Sequence, residues 1–306
     1  MTSRDVVNVI QRRLPKKTKV GHAGTLDPLA EGVLVIGVGP AVRLVPYVQQ
    51  QPKHYVATFC LGKSSVSGDL EGEITQHPDL PQPTREQLDD AALTLIGEIE
   101  QTPPAHSAIW VDGRRAYQRI RAGEEFEMPK RKVRIDRLTI TRYEYPEVDL
   151  DIVCGSGTYI RTLGIDLAVA TGSNAVMSFL SRIAVGPFHL KAAVSIETLR
   201  DGDFIESLLP ARMAVEQLTH VRLSDEECVR VGHGLCVDVP GDRWAVPQSS
   251  VTESSATSQR EGVDSPEPLE IAAINAAGQL RAILRRKRGQ WCPYRVFATD
   301  GGSSGE

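Results

Sequence analysis

The chain alternates irregularly between segments with the periodicity of a strand and segments with the periodicity of a helix. Residues 148–152 alternate apolar with acidic side chains, a pattern typical of a strand with one buried and one solvated face. Gly155, Ser156 and Gly157 then lead into a helical pattern that ends near Gly172. Because the order does not follow the strict strand–helix repeat of a parallel α/β protein, we predict an α+β fold with a mixed, largely antiparallel sheet.

Local signals predict further elements of both kinds. An amphipathic, capped helix is expected between Thr2 and Pro15, and the capping boxes that begin at Thr84 and Ser224 predict two more helices. Continuous apolar composition predicts buried strands. These strands are expected at residues 33–36, 55–61, 271–274 and 280–284.

The composition changes after Pro210, which indicates a second domain. We predict a larger domain at residues 1–212 and a smaller, β-rich domain at residues 213–299. Residues 246–269 are rich in Ser, Thr, Glu and Pro and predict a disordered polar insertion, and residues 300–306 form a tail.

Apolar runs and cysteine usage favour a cytoplasmic protein. The longest apolar run, Gly32 to Val42, has eleven residues, whereas a membrane-spanning helix needs about 20. Residues 1–20 carry basic side chains without an apolar run, so no secretory signal is expected. The 5 cysteines are widely spread and form no C-x-x-C motif, which predicts reduced thiols rather than a disulfide frame or a zinc site.

Residues 21–32 surround one carboxylate with glycines and a proline. Pro28 disfavours helical backbone at Asp27 and places it in an extended or turn conformation. By composition alone, a tight turn in which Asp27 caps its own backbone is the more frequent arrangement. A carboxylate held at a fixed angle for chemistry is the alternative. The neighbouring His22 is similarly more often structural than catalytic.

Arg161 stands in the first turn of the predicted helix after Gly157. The positive end of the helix dipole disfavours a cation there, so this position suggests a carboxylate or phosphate partner, although a solvated arginine remains an equal alternative. The G-x-G at residues 155–157 lacks the rest of a dinucleotide fingerprint and no Walker lysine follows it. Nucleotide binding is therefore excluded.

A basic cluster lies within a chain whose formal net charge is −4. Nine arginines and lysines fall between Arg114 and Arg137, and Trp110 and Tyr117 stand beside or among them. Basic side chains interleaved with aromatic ones are typical of RNA-binding surfaces. A solvated charged face gives a similar run, so this cluster alone does not decide the function.

Five blocks, in order over residues 1 to about 200, resemble the bacterial tRNA pseudouridine synthases of the TruB type. They are Gly21–Gly32 (G-H-x-G-x-L-D-P-x-A-x-G), Lys53-x-Tyr55 (K-x-Y), Ser107–Gly123 (S-A-x-x-x-x-G-x-x-x-Y), Cys154–Leu163 (C-x-x-G-T-Y-I-R-x-L) and Leu180-x-Arg182 with Val185–Phe188 (L-x-R-x-x-x-G-P-F). Together the blocks favour a functional role for Asp27 over a turn alone.

The resemblance implies a role for each site residue. Asp27 would be the catalytic carboxylate, Arg161 would pair with it and keep it ionised, and Tyr55 would stack on the target uracil. The other implied substrate contacts are His22, which would fill the space left by the flipped base, and Tyr159 and Leu180, which would close the pocket.

The implied reaction is the isomerisation of uridine-55 to pseudouridine in the T-loop of tRNA, after the nucleotide is flipped out of the loop. It requires no cofactor and no metal. The basic residues expected to hold RNA phosphates are Arg114, Arg115, Lys130 and Arg131. Residues 213–299 are expected to form a PUA-like domain, and the protein is expected to be a monomer. A noncatalytic tRNA-binding or tRNA-folding chaperone on the same scaffold is the alternative.

The sequence departs from the family pattern in two places. The family opens with a K-P-x-G element before the T-S that is Thr2-Ser3 here, so we expect either a start further upstream or a missing edge strand. The family's T-x-T-x-D-x-x-G loop reads S-V-S-G-D-L-E-G at residues 65–72, where serine hydroxyls replace those of threonine.

Overall fold

A computed structural model describes residues 1–104, 110–111, 114–115, 119, 124, 128–247 and 268–297. The chain falls into two compact units, each built from separate stretches of sequence. The first unit consists of Met1–Asp5, Gly24–Val35 and Gln49–Ala193, and the second consists of Val6–Ala23, Ile36–Val48 and the chain from Val194 onward. The predicted domain boundary near residue 212 stays a prediction.

Among the described residues, helices and strands alternate irregularly along the chain. The α-helices are α1 (Ser3–Arg13), α2 (Val45–Gln50), α3 (Arg85–Thr94), α4 (Ile160–Ala170), α5 (Ile196–Asp201) and α6 (Asp225–Gly232). The strands are β1 (Val20–His22), β2 (Glu31–Gly32), β3 (Ile36–Val38), β4 (Lys53–Leu61), β5 (Lys63–Ser65), β6 (Ile74–Gln76), β7 (Gly97–Gln101), β8 (Trp110–Val111), β9 (Arg114–Arg115), β10 (Arg131–Glu144), β11 (Glu147–Cys154), β12 (Ala175–Val185), β13 (Phe188–His189), β14 (Thr219–Arg222), β15 (Trp244–Ala245), β16 (Glu270–Ile274), β17 (Leu280–Lys287) and β18 (Gln290–Val296).

A seven-stranded sheet is the framework of the first unit. Its order is β13-β12-β4-β11-β10-β7, with β2 paired to β12. The pairs along this path are antiparallel, whereas β2 runs parallel to β12. The sheet is therefore mixed and largely antiparallel, and the predicted α+β fold is confirmed.

The predicted alternation of residues 148–152 sets the two faces of this sheet. Val148, Leu150 and Ile152 are buried in the core of the first unit, while Asp149 and Asp151 remain partly exposed on the other face. Helix α4 packs on the buried face so closely that a methyl group on Gly164 would lie 2.1 Å from the ring of Phe59. The predicted helix after Gly157 is present, and it supplies one side of this core.

The capping boxes predicted at both helix starts are present. The Thr84 hydroxyl accepts a hydrogen bond from the Gln87 backbone, and the Gln87 side chain accepts one from the Thr84 backbone. Ser224 and Glu227 make the same reciprocal pair at the start of α6. Each box satisfies backbone N–H groups that a helix leaves without partners in its first turn.

The second unit contains a five-stranded sheet of order β15-β14-β16-β17-β18. Its core includes Val221, Ile271, Leu284 and the fully buried Trp291. The strands predicted at residues 271–274 and 280–284 lie at its centre, so the C-terminal part of the chain is rich in strands as predicted.

The strand predicted at residues 33–36 is wrong in its position. Strand pairing occurs on either side of it, in β2 and in β3, whereas Val33, Leu34 and Val35 lie outside the strands. The backbone N–H of Val33 donates to the carbonyl oxygen of Arg182 at 2.7 Å, and pairing with β12 ends there. The apolar residues are still partly or fully buried, which explains why their composition is that of a strand.

The expectation that all five cysteines are reduced is also wrong in this structure. Cys236 and Cys292 form a disulfide, whereas Cys60, Cys154 and Cys228 are free and buried. The two bonded residues are 56 positions apart in sequence. Val237 and Trp291, each next to one of these cysteines, pair through backbone hydrogen bonds in an isolated β-bridge. Sequence spacing alone could not show this contact.

The remaining expectations concern the polar insertion, the tail and membrane spans. Residues 248–267 of the insertion and the whole tail at 300–306 lie outside the described residues. Within the described ranges, no helix has both the length and the apolar character that crossing a bilayer requires.

Candidate active site

Asp27 lies in a loop, residues 24–33, that is anchored to the body of the first unit. The backbone N–H of Ala30 donates to the Asp27 carbonyl oxygen at 2.9 Å, which closes a turn that begins at Asp27. The backbone N–H of Leu26 donates to the Oγ of the buried Ser3 at 2.9 Å. The Asp27 side chain is 36% exposed, so the carboxylate is fixed at its base and accessible at its tip.

Arg161 lies against Asp27. Its Nη2 atom is 3.0 Å from Asp27 Oδ2, and its side chain is only 7% exposed. Arg161 stands in the first turn of α4, where the dipole disfavours a cation, and the carboxylate supplies the compensating charge. The two residues that sequence reasoning placed together are thus neighbours across 134 positions of sequence.

Asp69 is a third member of this charged network, and sequence reasoning did not select it. Its Oδ2 atom is 3.1 Å from Arg161 Nη1, and its side chain is 4% exposed. Its Oδ1 atom accepts hydrogen bonds from the hydroxyl of Ser67 at 2.6 Å and from the backbone N–H of Glu71 at 3.1 Å. Arg161 also donates to the Ser67 carbonyl at 2.7 Å. The serine-rich loop at residues 65–72 is the signal that could have identified this aspartate.

Tyr55 stands on β4, directly across from Arg182 on β12. Burial raises the pKa of the Tyr55 hydroxyl above its usual value, and the Asp27 charge acts in the same direction, while the Arg182 guanidinium opposes this rise. The phenol is therefore neutral at physiological pH. Leu180 lies two positions before Arg182 and is buried in the core cluster against which Tyr55 packs.

Tyr159 precedes α4 and is held by a buried glutamine. Gln101 accepts a hydrogen bond from the Tyr159 backbone N–H at 3.0 Å and donates to the Tyr159 carbonyl at 3.3 Å. The Arg131 guanidinium stacks on the Tyr159 ring, 4.2 Å from its centroid. Arg131, predicted to contact RNA, therefore also supports a predicted pocket residue.

The other predicted residues belong to other elements of the chain. His22 ends β1 in the second unit and pairs with Ile36 in β3. Arg114 Nη1 is 2.5 Å from Glu124 Oε1, and Lys130 is exposed just before β10. Arg115 is part of β9, and its side chain lies outside the described residues.

Within the described part of the chain, no three His, Cys, Asp or Glu side chains are close enough together to hold a metal ion. The network of two carboxylates around one arginine is instead arranged for charge stabilisation, with one accessible carboxylate.

Comparison with known proteins gives consistent results. The model of the TruB family pseudouridylate synthase N-terminal domain matches residues 12–160. A tRNA pseudouridine synthase B of Rhodopirellula baltica is 42% identical over 320 residues, covering 97% of this chain and 92% of that protein. One of Leifsonia xyli is 38% identical, covering 84% and 86%. The structure of a Cbf5-Nop10-Gar1 complex is similar in fold, with a TM-score of 0.67 and 22% identity over 97% of this chain and 81% of that one.

Proposed function

This chain belongs to the TruB family of pseudouridylate synthases, and we propose that it converts a uridine of tRNA, uridine-55 of the T-loop, to pseudouridine. The family membership rests on relatives that match over nearly the whole chain. The arrangement of Asp27, Arg161 and Asp69 carries the catalytic part of the proposal.

The reaction exchanges one bond for another within a single nucleoside. The bond between N1 of uracil and C1′ of ribose breaks, the base turns, and C5 bonds to C1′. The proton of C5 is lost and N1 gains one, so the reaction has no net oxidation or reduction and needs no cofactor. The enzyme must hold the base out of the RNA fold meanwhile, which costs a few kcal/mol of stacking and pairing.

Asp27 is the member of the charged network that can reach a nucleoside. Its side chain is 36% exposed, whereas those of Arg161 and Asp69 are 7% and 4% exposed. The buried pair therefore acts behind Asp27: Asp69 holds the Arg161 guanidinium, and this guanidinium holds the Asp27 carboxylate in place. Asp27 then acts either as a nucleophile at the sugar or as a base on its 2′ side.

Tyr55, Tyr159 and Leu180 form the apolar part of the site in this proposal. The neutral Tyr55 ring stacks on the flipped uracil, an interaction worth about 1–3 kcal/mol per base. Tyr159, supported by the stacked Arg131, and Leu180 close the pocket. His22 occupies the space that the flipped base leaves in the RNA.

The RNA contacts are electrostatic and depend on salt. Arg114, Arg115, Lys130 and Arg131 hold phosphates and set the register of the T-loop. The strand-rich segment at residues 213–299 is a PUA-like domain. The enzyme works as a monomer in the cytoplasm.

Release of tritium from tRNA labelled at C5 of uridine tests this function. The wild-type chain should release label, and mapping of the product should place pseudouridine at position 55. A tRNA with cytidine at position 55 should give no product there. Accelerated refolding of tRNA without any label release would contradict the proposal and favour the chaperone.

A further inference from the structure

Arg182 is a buried arginine that the network around Asp27 does not include. The residue is 3% exposed and lies on β12 between Tyr55 on β4 and Gly32 on β2. Its side chain points into the loop at residues 24–33, which carries Asp27. A buried guanidinium is costly unless hydrogen bonds satisfy it and opposite charge compensates it, so its partners indicate its role.

Arg182 donates hydrogen bonds to backbone carbonyls on both sides of Asp27. Its Nη2 donates to the carbonyl of Gly24 at 3.2 Å and its Nη1 to that of Thr25 at 3.4 Å. Its Nε donates to the carbonyl of Val33 at 2.8 Å. One rigid, planar group thus holds the loop where it begins and where it ends.

The backbone of Arg182 makes a further contact, which depends on a glycine. Its carbonyl oxygen accepts the hydrogen bond from the Val33 N–H at 2.7 Å. A methyl group on Gly32 would lie 2.3 Å from the same oxygen, and Gly32 has φ +105°, which side chains rarely adopt. The close approach of the loop to β12 at Arg182 therefore requires a glycine at position 32.

The charge of Arg182 is balanced by the network rather than by a direct partner. Among the described residues, Arg182 interacts with these carbonyls and with the Tyr55 side chain but forms no ion pair. Asp27 and Asp69 share Arg161, so that network has one net negative charge. Arg182 and Asp27 both act electrostatically on Tyr55, which places the second cation next to the site.

From these contacts we propose that Arg182 is a positioning residue for pseudouridine formation: it fixes both ends of the Asp27 loop and supplies the second positive charge of the site. This inference rests on the proposed function. Arg182 acts through the placement of Asp27 rather than by contact with RNA, because its guanidinium is occupied and buried.

Arg182→Met tests the proposal, and Arg182→Lys separates charge from geometry. Single-turnover rates at saturating enzyme and dissociation constants for tRNA are measured for both variants. For Arg182→Met we expect a rate at least about 100-fold below wild type, because small misplacements of a reacting group cost that much. The dissociation constant should stay at the wild-type value. Arg182→Lys should recover part of the rate, since an ammonium keeps the charge but cannot bridge both ends of the loop.

Arg142→Met is the matched control. Arg142 is about half exposed on the opposite face of the sheet and pairs with Asp149 and Glu147, so its loss should leave the rate unchanged. A wild-type rate in Arg182→Met, or equal losses of rate and tRNA binding, would overturn the inference. If Arg182→Met does not fold, a folded Arg182→Lys with the wild-type rate overturns it equally. Absence of product from the wild-type chain would instead refute the proposed function.

Discussion

Replacement of Asp69 by asparagine is the sharpest test of the buried network. The variant keeps the Oδ1 acceptor that Ser67 and Glu71 use. It replaces Oδ2, 3.1 Å from Arg161 Nη1, with an amide group that donates. Two donors then face each other in a region closed to water, and one negative charge is lost.

The expected loss of stability follows from the burial of the ion pair between Asp69 and Arg161. Removing one partner of a buried ion pair costs about 3–5 kcal/mol when the remaining charge is uncompensated. Arg161 retains Asp27 at 3.0 Å and the Ser67 carbonyl at 2.7 Å, so we expect the lower end, about 3 kcal/mol of unfolding free energy. The rate of pseudouridine formation should fall about 100-fold, because Arg161 no longer has a fixed position behind Asp27.

Urea unfolding of Asp69→Asn and Asp89→Asn measures this difference. Asp89 makes a similar contact, 2.8 Å from Arg85 Nε, but its side chain is 48% exposed. Exposed ion pairs between residues four positions apart on a helix contribute about 0.3–0.5 kcal/mol to stability. If both variants lose the same stability, or if Asp69→Asn keeps the wild-type rate, burial of the network is not what stabilises the site.

Three further predictions test other contacts. Arg161→Lys should lower the rate by more than it weakens tRNA binding, because an ammonium is a point charge and cannot reproduce the planar fork that the guanidinium presents to the carboxylates; unchanged turnover would refute this. Gly164→Ala should destabilise the protein by about 1–3 kcal/mol in urea unfolding, because the new methyl overlaps a fully buried ring. Gly232→Ala, with open space around it, should not destabilise it. Arg243 holds the pKa of Glu227 at about 2, below its usual 4.5, so this pair stabilises the fold above pH 4.5 and loses that effect as pH falls towards 2. Glu227→Gln should therefore have a lower melting temperature than wild type at pH 7, and the two melting temperatures should converge as the pH falls towards 2.

Local sequence signals predicted the elements whose causes are local. The capping boxes at Thr84 and Ser224 bring donors and acceptors together within three residues, and the alternation at residues 148–152 reports burial directly. Sequence reasoning failed at residues 33–36. An apolar run there indicates burial, but strand pairing depends on where β12 lies, which the run does not encode.

Part of the site was indicated where residue type and position conflicted with local physics. Arg161 at the start of a helix suggested a carboxylate or phosphate partner, and the resemblance to the family implied that Asp27 is this partner, which lies 3.0 Å away. Asp69 carried no such conflict, since an aspartate between glycines is an ordinary turn residue. Its role arises from its contact with Arg161, 92 positions further along the chain. The contacts of Arg182 with the Asp27 loop and of Cys236 with Cys292 likewise join residues that are far apart in sequence.

The most direct test of the central claim compares Asp27→Asn with wild type at equal amounts of bound tRNA. Asparagine keeps the shape of the side chain and removes the charge that Arg161 faces. We predict normal tRNA binding with essentially no release of C5 tritium, while Asp89→Asn releases label at the wild-type rate. Release of label by Asp27→Asn at the wild-type rate would contradict the account.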